Sequence, residues 1–349
     1  MITQKKFGTL DNGQDIILFS ISNKNGMQAD VINYGAILVN LWVTKKDGTK
    51  VDIALGYDNL EDYKVNSPFL GAAVGPIANR TANATFSIDG TKYQLDANEN
   101  GNNLHSHYEK GIHKAYYSFE VDETKNQVAL TTICKDGEIG FPGNREITIT
   151  YSVTDDNELI MQYDGISDKK TILNLTNHSY FNLKGHDNAS ILDEELWINA
   201  EEFTEIVKGA IPTGKLISVQ GTPLDFTSFS VIGDRIEDSY EQLQMVGGYD
   251  HNFVVKKSKE GVEKVAMVRD EQAGLVMEVY SDLPGIQFYA GNFIGEHTGK
   301  NQANYGKRHG LALETQYFPN SANEESFECP ITEPLKPYHT VTIYKVTTV

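Results

Sequence analysis

The stretch FSIDGTKYQL, residues 86 to 95, decides the fold class. Asp89-Gly90 stands between two short segments of alternating apolar and polar residues, and such a pair supplies the positive φ angles that a type I′ turn demands. Two antiparallel strands joined by a tight turn are expected here. Working outward, the same grammar recurs on both sides. Before it come DIILFSISN (15–23), ADVINYGAILVNLWV (29–43) and VDIALGY (51–57), runs rich in Ile, Val and aromatics and bounded by Gly, Asn and Asp. After it come QVALTTICK, REITITYSVTD, ELIMQYDGISD, ELWINAEEFTEI, HNFVVKKS, KVAMVRD, LVMEVYSD, IQFYAGNFI, GLALETQYF and HTVTIYKV. Helix is expected only at residues 231–244, with a weaker turn near NLEDYKV, and SKEGVEKV near residue 260 has the composition of an exposed hairpin tip. So many short strands with very little helix predict an all-β chain, a large antiparallel β-sandwich. No fixed-period repeat, charge block or Pro/Ser-rich linker marks a boundary, so residues 1–349 are expected to form one domain.

Bulk composition narrows the function. Of 349 residues, 40% are hydrophobic and 22% charged, which suits a core that folds throughout. The formal charge of −18 repels polyanions, and no basic stripe is present, so nucleic acid and anionic membrane are not expected partners. A neutral small molecule fits better than a phosphorylated one. The opening MITQKKFGTLDNGQDIILF holds no apolar run of signal-peptide length, and no window reaches the roughly 18 apolar residues of a spanning helix, so a cytoplasmic location is expected. Cys134 and Cys329 lack CxxC spacing and read as buried free thiols.

Five polar segments interrupt the strand pattern: GPIANR (75–80), NNLHSH (102–107), NLTNHSYFNL (174–183), GYDHN (248–252) and LETQYFPN (313–320). Each couples amide or titratable side chains to apolar neighbours, as the wall of a half-buried cleft would. His178, flanked by Leu175, Tyr180, Phe181 and Leu183, suits a strand end where an imidazole can exchange a proton near neutral pH; the alternative is a core histidine satisfied by a backbone carbonyl. Alternation places Ala312, Glu314 and Gln316 on one strand face, opposite Leu311 and Leu313. Glu314 therefore meets either a cleft, where burial would raise its basicity, or solvent. Asp250 follows Gly247-Gly248-Tyr249 and can accept hydroxyls or close an Asx turn; Asn79 and Arg80 can bind hydroxyls or form a loop ion pair. His105, His107 and His113 raise a transition-metal alternative, but no Glu, Asp or Cys stands at the short spacing of a completing ligand, so neither metal nor cofactor is expected.

In order, GPIANR, NNLH, NLTNHSYFNL, PTG, GYDHNF, PGIQFYAGNF, LETQYFPNSAN and a closing LKPYHTVTIYKV resemble the aldose 1-epimerase, or galactose mutarotase, family, and the resemblance spans nearly the whole chain. It implies a cofactor-independent β-sandwich enzyme that interconverts the α and β anomers of free aldohexoses, with Glu314 as general base and His178 as general acid. It implies sugar-hydroxyl contacts at Asn79, Arg80, His105, Asp250 and Gln287. A monomer and a homodimer both suit it. The chain departs from the family pattern at Ser106-His107, where Gly-Gly is frequent, and at Pro76, where Arg is frequent. The first bears on the reach of His105, as does the question of whether His107 and His113 enter the site; the second bears on specificity more than on the reaction. A hexose-6-phosphate epimerase of the same fold and a non-catalytic sugar-binding protein are the alternatives; the first needs a cationic phosphate pocket that five arginines without a cluster do not suggest.

Overall fold

The computed structural model describes residues 1–188 and 190–349. Three large antiparallel sheets carry the architecture. A nine-stranded sheet runs, edge to edge, through Ser118–Asp122, Gln127–Cys134, Arg145–Val153, Glu158–Ser167, Tyr338–Thr348, Leu275–Ser281, Glu263–Asp270, Glu195–Ile198 and Ser230–Val231. One five-stranded sheet is a meander from Ile2–Thr9 to Lys50–Asp52. The other orders Ile211–Ser218, Ala200–Val207, Asp250–Val255, Gly285–Tyr289 and Ala312–Gln316. The hairpin of residues 86 to 95 forms as its turn residues dictate, with Asp89 at φ 49° and Gly90 at φ 78°.

Period-two alternation explains how the layers meet. Along Glu158–Ser167 buried and part-exposed residues alternate without a break, so Leu159, Met161 and Tyr163 face inward. They join one contiguous apolar core with Phe19, Ile21 and Leu41 of the first five-stranded sheet and Phe203, Phe253, Phe288 and Leu313 of the second. The nine-stranded sheet thus packs against both, giving the expected sandwich. Lys300 staples a late loop to the first sheet, donating to the Val39 and Ala54 carbonyls at 2.7 Å and pairing with buried Asp52.

Three local expectations need correction. Residues 231–244 do not form one helix: Ile232 and Gly233 donate to the carbonyls of Glu194 and Leu192, which draws the segment against strand Glu195–Ile198, and only Glu241–Val246 is α-helical. NLEDYKV, expected as a turn, contains the helix Leu60–Val65, capped by the Asn59 side chain, which accepts from the Asp62 amide. Of SKEGVEKV only residues 258–262 are exposed, its last three residues opening strand Glu263–Asp270, and it is not a hairpin tip, because that strand and Asp250–Val255 before it belong to different sheets. The strand Ile2–Thr9 escapes a hydrophobic reading because it is an edge strand whose residues stay exposed or half-buried.

Candidate active site

Strand register assembles most of the site. Asp250 pairs with Tyr289, and Asn252 with Gln287, which in turn faces Glu314 across the ladder. With alternation, Asp250, Asn252, Gln287, Tyr289, Glu314 and Gln316 share one face of the second five-stranded sheet, while His251, Phe253, Phe288 and Leu313 point to the core. That polar face is buried, with Glu314 only 2% exposed, so it is not a solvated strand surface. It floors a cavity of about 190 Å³. The walls come from two short antiparallel pairs. Thr176–His178 against Ala72–Val74 presents His178, and Arg80–Thr81 against Asn103–Leu104 presents Arg80 and, just beyond, His105.

At the centre, His178 Nε2 lies 3.7 Å from Glu314 Oε1. Among the described residues, Glu314 Oε2 and His178 Nδ1 have no hydrogen-bond partner. The surroundings are aromatic: Phe69 stacks on His178 at 5.9 Å, with Tyr180 at 4.9 Å and Tyr289 at 6.3 Å. In such a dry setting the charged form of each group is disfavoured. Burial pushes the Glu314 carboxyl up to about 8, the Asp250 charge adding and Arg80 opposing. Burial likewise draws His178 down to about 4, with Arg80 contributing.

The rim is a set of hydrogen-bonding side chains held in fixed orientation. Arg80 donates from Nε and Nη2 to Glu99 at 2.6 and 3.0 Å and keeps Nη1 3.5 Å from Asp250 Oδ2. Burial works against its charge, yet Asp250, Glu99 and Glu314 outweigh that and raise its pKa. Asp250 accepts from Gln287 Nε2 at 2.6 Å, and Gln316 Nε2 bridges Gln287 and Asn252 behind it. This row of amides fixes one carboxylate oxygen and leaves the other toward the cavity. His105 Nδ1 accepts the Asn79 backbone N–H at 3.1 Å, so the neutral ring carries its proton on Nε2, and burial, aided by the nearby His178 and Arg80, holds its pKa well below the usual histidine range.

That tautomer bears on metal binding. Ligating atoms of His105, His178 and Glu314 lie within 4.8 Å of one another, the spacing of a possible cation site. For His105 to ligate through Nε2 its proton would have to move to Nδ1, against the Asn79 N–H, and that contact would be lost. The donor set therefore suits hydroxyls better than a metal.

Of the residues expected at the site, Asn79, Arg80, His105, His178, Asp250 and Glu314 all line the cavity. Gln287 does not; it stands behind Asp250 and touches the cavity through it. His107 turns away, its Nδ1 accepting from the Glu109 and Lys110 amides, and His113 bonds the Tyr108 carbonyl at 2.9 Å behind Phe69. Ser106 sits at φ 69°, a conformation glycine adopts freely; its hydroxyl offsets the strain by accepting from Ile77 N and donating to Ile77 O at 2.9 and 3.0 Å. The loop thereby delivers His105 without Gly-Gly. Glu99, Phe69, Tyr180 and Tyr289 also line the cavity and were not singled out from sequence. The one signal for Glu99 was the Asn100-Gly101 turn pair that follows it.

The aldose 1-epimerase family model matches residues 18–345. The galactose mutarotase of Bos taurus is 36% identical over 345 residues, covering 99% of this chain and 98% of the relative. The aldose 1-epimerase of Escherichia coli K12 is 34% identical over 336 residues, covering 96% of each. Among solved structures, that of a galactose 1-epimerase from Lactobacillus acidophilus superposes with a TM-score of 0.87 at 26% identity, covering 100% of this chain and 99% of that one.

Proposed function

The chain belongs to the aldose 1-epimerase family and is a mutarotase, an isomerase of the anomeric centre of aldoses; we propose that it acts on free galactose and glucose, with Glu314 as general base and His178 as general acid. Glu314 takes the proton of the anomeric hydroxyl while His178 gives one to the ring oxygen, and the bond between C1 and that oxygen breaks. The product is the open aldehyde with a free hydroxyl at C5. Rotation about C1–C2 turns the other carbonyl face toward that hydroxyl. Reclosure returns both protons by the reverse path and yields the opposite anomer.

The observation that carries this reading is the carboxylate–imidazole pair, 3.7 Å apart in a cavity whose aromatic wall faces a rim of polar side chains. With the carboxyl titrating at about 8 and the imidazole at about 4, the two hold one proton between them across the neutral range. In the empty cavity it rests on Glu314. A bound sugar favours the charged tautomer, since its anomeric hydroxyl donates to the carboxylate and its ring oxygen accepts from the imidazolium. Arg80, the His105 Nε2–H and the Asn79 Nδ2 group supply donors to the remaining hydroxyls, Asp250 supplies an acceptor, and Gln287 acts through Asp250.

A phosphorylated sugar fits less well. Arg80 is the one Arg or Lys among the cavity-lining residues, and it shares the space with Glu99, Asp250 and Glu314. Its Nε edge is already engaged. A single domain is supported by the core that runs unbroken from Phe19 to Val346, and two free thiols fit a reducing, cytoplasmic setting. The test is His178→Asn, followed by polarimetry of fresh α-D-galactose. A folded variant should lose about 10²-fold or more in kcat; full activity from pH 5 to 8 would remove His178 as the acid.

A further inference from the structure

Glu99 is the one cavity carboxylate to which the reaction assigns nothing. It is held with unusual firmness for a loop residue. Glu99 N donates to the Asn102 carbonyl at 3.1 Å and Asn102 N returns a bond at 2.8 Å, closing a two-residue turn in which Asn100 and Gly101 both take positive φ. On either side, Asn98 exchanges two hydrogen bonds with Leu104, and the Asn102 side chain accepts from Asn83 N. The turn continues into strand Asn103–Leu104, which pairs with Arg80–Thr81, so carboxylate and guanidinium are set by one small ladder.

The contact is bidentate and uses the Nε edge of the guanidinium. That edge gone, the donors left to Arg80 are Nη1 and the outer hydrogen of Nη2, which face Asp250 and the cavity. Arg80 is also close enough for its charge to act on Glu314. One cation thus stands among three carboxylates, and which of them takes up its charge decides whether Glu314 stays a proton carrier.

We propose that Glu99 is a positioning residue: it clamps Arg80 and takes up its charge, so that the guanidinium donates to a sugar hydroxyl beside Asp250 and does not pair off the catalytic carboxylate. The inference rests on Glu314 being the base. The groups facing Glu314 are His178, Arg80, Asp250, Tyr180, Tyr289 and His105, with Tyr344 packed behind; apart from the proton it shares with His178, Arg80 is the only cation there among the described residues, so releasing it changes the Glu314 environment in one direction.

The test is Glu99→Gln, nearly isosteric and able to keep one acceptor, beside Glu99→Ala. KM for galactose and the pH dependence of kcat/KM are measured for both and for the parent. Loss of the clamp should raise KM roughly tenfold, as expected for a misaligned charged hydrogen bond, and move the alkaline limb about one pH unit lower as Arg80 favours the Glu314 carboxylate. A merely structural role would lower the folded fraction and leave that limb in place. Parental KM and an unmoved limb in both folded variants would overturn the proposal. A parent with no alkaline limb would instead overturn the role of Glu314, so the two failures are distinguishable.

Discussion

Replacing Glu314 by Gln should harm the enzyme and strengthen the fold, and the size of the second effect follows from burial. The native state keeps the Glu314 proton up to about pH 8, whereas an unperturbed carboxyl releases it near 4.5. Between those values the folded chain binds more protons than the unfolded chain, so stability falls as pH rises, at about 1.4 kcal/mol per pH unit, and is level above the upper value. The accumulated cost at pH 9 is about 5 kcal/mol, from some 3.5 pH units at that slope. Glutamine does not titrate and escapes it. Urea denaturation of parent and variant, followed by Trp42 and Trp197 fluorescence, should therefore show nearly equal stabilities at pH 4.5 and a gap of a few kcal/mol in favour of the variant at pH 9. Polarimetry of the same samples should show kcat reduced by about 10² to 10⁴. A stability gap that does not change with pH would refute the buried, protonated carboxyl, and a folded variant with normal turnover would refute its role as base.

The coupled pair also predicts a bell-shaped profile of kcat/KM. The rate should be level across the window in which the pair holds one proton and fall tenfold per unit below about 4 and above about 8; a profile still level at pH 10 would contradict the assignment. Arg80→Met keeps much of the side-chain volume but removes the rim donors, so KM should rise roughly tenfold or more with a smaller change in kcat. Unchanged KM and kcat, measured by the same polarimetry, would take Arg80 out of the site.

What could be read from the chain in advance depended on how local its cause was. The 86–95 hairpin and the placement of Ala312, Glu314 and Gln316 on one face follow from turn chemistry and alternation, which need no distant partner. Residues 231–244 carry a helical spacing, yet backbone bonds to Glu194 and Leu192 win because they add the segment to a sheet edge. No local pattern reports such bonds. Gln287 could be assigned to the site but not to its depth: cross-strand register puts it behind Asp250. Glu99 was hidden for a different reason. Within ANENGNN it has the composition of a solvent loop, and only the pairing of the strand that follows its turn, Asn103–Leu104, with that of Arg80 turns it toward the cavity. Ser106 shows the same dependence on context, since the hydrogen bonds that let a serine stand where glycine is frequent come from Ile77.

The most direct test of the account is the decay of optical rotation after crystalline α-D-galactose is dissolved, followed at neutral pH with and without the purified protein and with no cofactor or metal added. The decay should reach the same final rotation faster, in proportion to protein concentration, and Glu314→Gln should cut that acceleration by about 10² to 10⁴. An unaltered decay at micromolar protein, for galactose and for glucose alike, would contradict it.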